Sequence, residues 1–204
     1  MLQKLRFHLI ISFFRLTPGI KKLDKGKTKE IIKDFKKHYK EFSDRTKPES
    51  GIMKFHRMFL IVGLALYKAL DNHYQDKQEL INKIHYLLWQ EFFEKKCRFI
   101  GFFIRRSKDP FMTFLQHLGP FNEWFFPCPP WEKVRVEIEN GIGWHQKKCP
   151  MINFFREQGI PQLCEAYCPL DERAAELFPD YIELKREKTL CKGDDYCDFL
   201  YYKR

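Results

Sequence analysis

The chain has 204 residues, 44% of them hydrophobic and 17% aromatic with 21 Phe, a composition that excludes disorder and permits one sizeable core in a single domain over residues 1–204. Its formal net charge is +10, but residues 1–50 hold 14 Lys and Arg against 6 Asp and Glu, so most of the surplus is local. Lys-rich solvated helix faces account for that stretch, and no Arg-aromatic platform or zinc-finger spacing marks a nucleic-acid binder.

Leu2, Leu5, Leu9, Phe13 and Leu16 fall at helical spacing until Pro18-Gly19, which predicts an amphipathic helix over residues 2–16. Packing on its own domain is preferred to contact with a membrane surface. Arg15 interrupts the apolar stretch and no small-residue cleavage site follows, so no secretory leader is read and the working expectation is a cytoplasmic protein with free thiols. A second helix is expected over 28–42 with Ile31, Ile32, Phe35, Tyr39 and Phe42 inward. Helices over 52–72 and 76–105 follow, with His56, His73 and His85 structural or solvated. The apolar run MFLIVGLAL at 58–66 falls short of the roughly 20 residues a membrane span requires.

From Asp109 to Pro130 the abundance of Pro and Phe predicts irregular chain. WEKVRVEIENG then alternates Val134, Val136 and Ile138 with charged residues up to an Asn-Gly turn, a half-buried strand. Pro150 opens a short helix ended at Gln158-Gly159, and Pro161 opens another through Cys164, Cys168 and Ala174 to about Leu177. Two further strands, around Ile182 and Leu184 and over CDFLYYK, flank the turn KGDDY. The fold class is α+β: a helical part over residues 1–125 packed on a small antiparallel sheet within 126–204. A pocket is expected between that sheet and the helix 161–177.

Five of the seven cysteines lie within 149–197. Cys164 and Cys168 are four apart on one expected helix, and Asp171 continues their stripe. Small buried hydrophobes are one reading of such cysteines. A four-thiolate metal site from Cys149, Cys164, Cys168 and Cys197 is another, although paired knuckles are missing; otherwise no cofactor is expected. Cysteine chemistry is the third: Cys149 precedes Pro150 at a helix start, where backbone N–H groups favour a thiolate. Asp171 offers acid or base, and Arg186 a bidentate partner for a carboxylate.

The order of these residues resembles the L-2-amino-thiazoline-4-carboxylic acid hydrolase family. The shared features are Cys149-Pro150 before an aromatic helix with Phe154, the helix start Gly159, Pro161 and Leu163, Cys168 with Asp171, and Arg186 with Thr189 and Leu190. The closing pattern is Gly193, Cys197, Asp198, Phe199 and Tyr201. The resemblance implies a hydrolase that adds water to the amidine carbon of a small cyclic substrate and opens its ring. It implies a nucleophilic or substrate-orienting role for Cys149 or Cys168, proton transfer by Asp171, carboxylate binding by Arg186, a hydrogen bond from Thr189, and Cys197 and Asp198 at the substrate. Cys191 is outside the pattern and is read as a bystander. The closing strand also resembles vinyl-reductase-like ligand-binding domains, which implies the alternative of a non-catalytic small-ligand module.

Overall fold

The computed structural model of the chain describes residues 16–23, 26–46 and 49–204. The helix expected over 2–16 therefore lies outside the described residues, apart from Leu16. The chain divides into two compact units, Met1–Lys95 and Lys96–Arg204.

The first unit is helical. Helix α1 (Leu16–Leu23) runs through Pro18-Gly19, where the sequence pattern predicts a stop; in the first turn a proline forfeits no intrahelical hydrogen bond. A Cβ on Gly19 would lie 2.6 Å from Leu87 Cδ2, so glycine permits α1 to approach closely there. Helix α2 (Thr28–Arg45) buries Ile31, Phe35 and Tyr39, one residue per turn, and turns its lysines outward. Its main partner is α3 (Gly51–Leu70), an apolar helix buried along most of its second half. Helix α4 (Lys77–Leu88) starts at Asp76, whose side chain accepts from Gln78 N–H at 2.8 Å. A π-helical turn (Trp89–Glu94) interrupts the expected long helix before α5 (Lys95–Ile104).

The second unit is α+β, as the sequence implies. Helix α6 spans Pro110–Phe125, correcting the irregular segment expected there. Asp109 caps it by accepting from Met112 N–H at 3.1 Å, Pro110 occupies the first turn, and Pro120 sits on the exposed face. Water can satisfy the carbonyl that Pro120 leaves unpaired there. The chain then forms β1 (Glu132–Val136), β2 (Gly141–Lys148), α7 (Pro150–Glu157), a 3-10 turn at Pro161–Ala166, α8 (Leu170–Ala175), β3 (Ile182–Lys185), a 3-10 turn at Leu190–Lys192 and β4 (Cys197–Lys203). The helix expected from 161 to 177 is thus two short pieces.

The sheet is antiparallel throughout, in the order β1-β2-β4-β3. Trp144 pairs with Phe199, Gln146 with Cys197 and Leu184 with Tyr201, so these side chains share one face. That face contributes Tyr201 and Ile182 to a core with Ile104, Phe111, Phe178 and Tyr181, against which Trp144 and Phe199 pack. Val134 and Val136, expected inward, pair with His145 and Gly143 on the opposite face, and Val134 is exposed. Edge strand β1 has solvent on that side, so its alternation does not report the core. Among the described residues no helix is long and apolar enough to cross a membrane.

Candidate functional site

Of the residues singled out in the sequence, Cys168, Asp171, Cys149 and Cys197 gather around Arg186. Arg186 follows the last residue of β3 with its side chain only 3% exposed. Its guanidinium carbon lies 4.4 Å from the centre of the Phe199 ring, and Phe199 stacks on Trp144 with centroids 5.5 Å apart. Nη1 donates to the Cys168 carbonyl oxygen at 2.5 Å and to Asp171 Oδ2 at 3.5 Å, with Glu172 Oε1 at 4.0 Å. Nε is buried and has no hydrogen-bond partner. A guanidinium needs its charge balanced when removed from water, and each buried N–H needs an acceptor. The ring, the carbonyl and the carboxylates meet the first need and leave Nε–H open.

The chain around Arg186 is held by side chains that the sequence reading placed at the substrate. Asp198 accepts from Glu187 N–H at 3.1 Å and Lys188 N–H at 2.7 Å, tying the continuation of β3 to β4. By strand alternation it faces away from Cys197 and Phe199. The Thr189 hydroxyl accepts from Lys192 N–H at 3.3 Å, and its own amide donates to Asp194 Oδ2 at 2.7 Å. Gly193 closes that turn at φ 96°, a left-handed conformation glycine adopts without steric cost. Cys197 is buried, and its Sγ accepts from Leu190 N–H at 3.2 Å.

Cys164 and Cys191 form a disulfide, with Cα atoms 6.0 Å apart. This corrects two expectations: Cys164 is not available as a thiolate ligand, and Cys191 is no bystander. Sequence spacing could not show the pair because the cysteines are 27 residues apart and meet only when the 3-10 turns at 161–166 and 190–192 lie side by side. The link fixes the loop before β4 to the segment that leads into Cys168. Among the described residues no three His, Cys, Asp or Glu side chains are grouped so as to hold a metal ion.

Electrostatically, Cys149, Cys168 and Cys197 act on one another and on Arg186. Burial pushes the Cys149 thiol up to about 11, outweighing the N–H groups of Ile152 and Met151 at the start of α7 and the cation of Arg186. Burial pushes Cys168 to about 12 despite Arg186. The helix start beside Cys149 is therefore present, as expected, but desolvation dominates and both groups are neutral thiols at neutral pH. Burial also raises the Asp171 carboxyl above its ordinary value, with Arg186 opposing and Glu172 adding to the shift. For Arg186, burial works against the charge, but Asp171 heads the negative groups that hold it protonated.

Two groups at this centre escaped the sequence reading. Trp144 lies on β2, a strand that the Asn140-Gly141 turn could have announced, since a tight turn after one strand calls for a partner. Cys97 on α5 feels the charge of Asp171, and burial raises its thiol to about 11. Nothing local in the sequence places it here.

The sequence model of the L-2-amino-thiazoline-4-carboxylic acid hydrolase family matches residues 51–201. No curated protein matches the chain. Among solved structures, an H-NOX protein from S. oneidensis in the Fe(II)NO ligation state is 10% identical with a TM-score of 0.41, covering 93% of this chain and 97% of that one. A triple mutant from the same organism in the Fe(II) state is 12% identical at 0.40, over 93% and 95%. An unliganded Fe(II) H-NOX mutant from K. algicida is 14% identical at 0.34, over 85% and 95%. The ordered motifs from Cys149 to Tyr201 and a family match over residues 51–201 agree: the chain belongs to the L-2-amino-thiazoline-4-carboxylic acid hydrolase family.

Proposed function

We propose that this hydrolase opens a small cyclic amidine bearing a carboxylate, of the 2-amino-thiazoline-4-carboxylate type, at the centre formed by Arg186, Asp171, Cys168 and Cys149. The observation that supports it most is the buried Arg186 Nε–H, which no protein acceptor meets in the midst of three thiols and a carboxylate. A substrate carboxylate supplies the missing acceptor and neutralises a cation already desolvated.

With the substrate so anchored, Asp171 takes a proton from a water molecule as its oxygen bonds to the amidine carbon. The raised carboxyl pKa brings this base closer to neutral pH. The tetrahedral carbon then carries the new hydroxyl, the exocyclic amino group, the ring nitrogen and the ring sulfur. One ring bond to it breaks, the departing heteroatom takes a proton, and the carbon is left as a carbamoyl group on the opened chain. Cys168 and Cys149, neutral at this pH, orient the ring and donate hydrogen bonds to the departing heteroatom. The reaction so written uses no metal or organic cofactor, and Thr189 and Asp198 serve it by holding the Arg186 strand.

The test is incubation of the purified protein with 2-amino-thiazoline-4-carboxylate in oxygen-18 water, following carbamoyl product by mass spectrometry. One labelled oxygen per product and a loss of at least about a hundredfold in Asp171→Asn is the expected result. Full activity in both Asp171→Asn and Cys168→Ala would remove the assignment. Saturable binding without product would favour the ligand-binding alternative.

A further inference from the structure

Helix α5 presents a different chemistry on its outer side. Phe99, Ile100, Phe102 and Phe103 are 66%, 49%, 50% and 57% exposed, whereas Gly101 and Ile104 are buried. Phe99, Phe102, Phe103 and Arg106 follow the three- and four-residue spacing of one helix face. The rings touch: Phe99 and Phe103 have centroids 5.0 Å apart, Phe102 and Phe103 5.4 Å. The Arg106 guanidinium lies 3.5 Å from the centre of the Phe102 ring. The inner side is fixed, since a Cβ on Gly101 would come within 2.2 Å of the Phe178 ring. The exposed ridge is thus what remains after α5 has packed on its core.

Charge identifies what this ridge fits. From Lys95 to Lys108 the chain carries Lys95, Lys96, Arg98, Arg105, Arg106 and Lys108, all exposed, and no Asp or Glu. Arg105 spends part of its charge on Asp180 at 3.7 Å. A second copy seated on the same face would oppose one cationic ridge with another, which is repulsive. A layer of negative charge over an apolar interior satisfies both properties at once: the rings enter the boundary between headgroups and acyl chains, and the cations remain among anionic headgroups.

We propose that the α5 ridge docks the protein on the surface of an anionic phospholipid bilayer, lying in the interface without crossing it. Cations at both ends of the ring cluster, on Lys95 and Lys96 and on Arg106 and Lys108, hold the helix parallel to the surface.

The test is co-sedimentation of the full chain with sucrose-loaded vesicles, one set of phosphatidylcholine alone and one with a third of phosphatidylserine. Binding to the anionic set is expected to exceed the neutral set by at least about tenfold and to fall as salt rises. Phe99→Ser with Phe103→Ser, changes at exposed positions, should reduce it at least tenfold, and Arg106→Glu with Lys108→Glu should do the same, with unchanged circular dichroism and melting. Equal binding to both vesicle sets overturns the proposal, as does anionic binding that survives both double variants, which would assign it to another segment such as residues 2–16. Loss in the variants of a concentration-dependent dimer, or of single-stranded RNA binding, without anionic-vesicle binding in the parent overturns it in favour of that occupant.

Discussion

All seven cysteines lie in the second unit, and residues 1–95 contain none. Buried polarity divides in the same way. Among the described residues, Asn122, Gln146, Thr189, Asp198 and the Arg186 side chain are buried in residues 96–204, against His56 in the first unit. The first unit is held by aliphatic and aromatic burial, exemplified by Val62, Leu64, Ala65 and Leu66 on α3, each at 0% exposure. The second adds a desolvated cation, a disulfide and buried thiols whose geometry must be maintained. Apolar packing tolerates rearrangement, while a buried charge requires particular partners in particular places. The chemistry proposed at Arg186 draws on that second kind of constraint.

The comparison is tested most severely at Arg186. Arg186→Met keeps the stem over Phe199 but removes the donor to the Cys168 carbonyl and the counter-ion of Asp171. It should cost about 2–4 kcal/mol in urea unfolding and at least about a hundredfold in kcat/KM. Turnover and stability close to the parent would mean that the buried cation organises nothing.

Leu64→Ala and reduction of Cys164–Cys191 should change stability by a similar amount, without the loss of turnover expected at Arg186. The leucine change should cost about 2–5 kcal/mol through the cavity it leaves. Reduction should cost about 3 kcal/mol through the loop it reopens. Native-state hydrogen exchange separates them: Leu64→Ala should raise exchange in the helices of residues 28–88, and reduction should raise it around 161–203. Loosening of the first unit on reduction would break the contrast.

How much of this was legible in the sequence differs by region for the same physical reason. Helices α2 and α3 follow from apolar periodicity because one face meets a continuous hydrophobic partner. Ile31, Phe35 and Tyr39 are buried as that pattern implies. Val134 misled because an edge strand with solvent on that side has no obligation to alternate toward the core. Helix α6 was hidden because Pro127, Pro129 and Pro130 suggest an irregular chain back to Asp109, whereas they all lie beyond the end of the helix at Phe125, Pro110 lies in its first turn and Pro120 faces water. At the candidate site, the motif order singles out Cys168, Asp171 and Arg186, which the fold brings together, but it shows neither the Cys164–Cys191 link, nor the nearness of Cys97 to Asp171, nor the dominance of burial over the helix start at Cys149. Each of those depends on segments far apart in the chain being brought together.

A smaller effect follows from the thiols. Cys149 and Cys168 rise from an ordinary 9.0 to about 11 and about 12 in the folded chain. The folded state keeps these protons where the unfolded chain has released them, so their contribution is whole below pH 9 and is lost as pH climbs from 9 through 11 to 12. The unfolding free energy from urea titration should fall between pH 8.5 and 10.5, by on the order of 1–2 kcal/mol per thiol. The double variant Cys149→Ala, Cys168→Ala should flatten that decline. An undiminished decline in the double variant would place the titration elsewhere.

The finest distinction concerns two buried donors that lack partners, Arg186 Nε and the Tyr181 hydroxyl. Tyr181 lies in the apolar core, its ring 5.7 Å from that of Phe178, and burial lifts its hydroxyl to about 12. An unsatisfied hydroxyl there is a pure desolvation cost, so Tyr181→Phe should be neutral or should stabilise by up to about 1 kcal/mol, with turnover unchanged. Arg186 Nε differs because it stands among thiols and the Asp171 carboxylate, where a substrate can supply the acceptor, whereas the charges that act on the Tyr181 hydroxyl are the exposed pair Arg105 and Asp180. If Tyr181→Phe instead destabilises by more than about 1 kcal/mol, the hydroxyl has an acceptor in solution. An unpartnered donor in this unit would then no longer distinguish a binding group from a packing one, and the case for Arg186 would depend on its effect on KM alone.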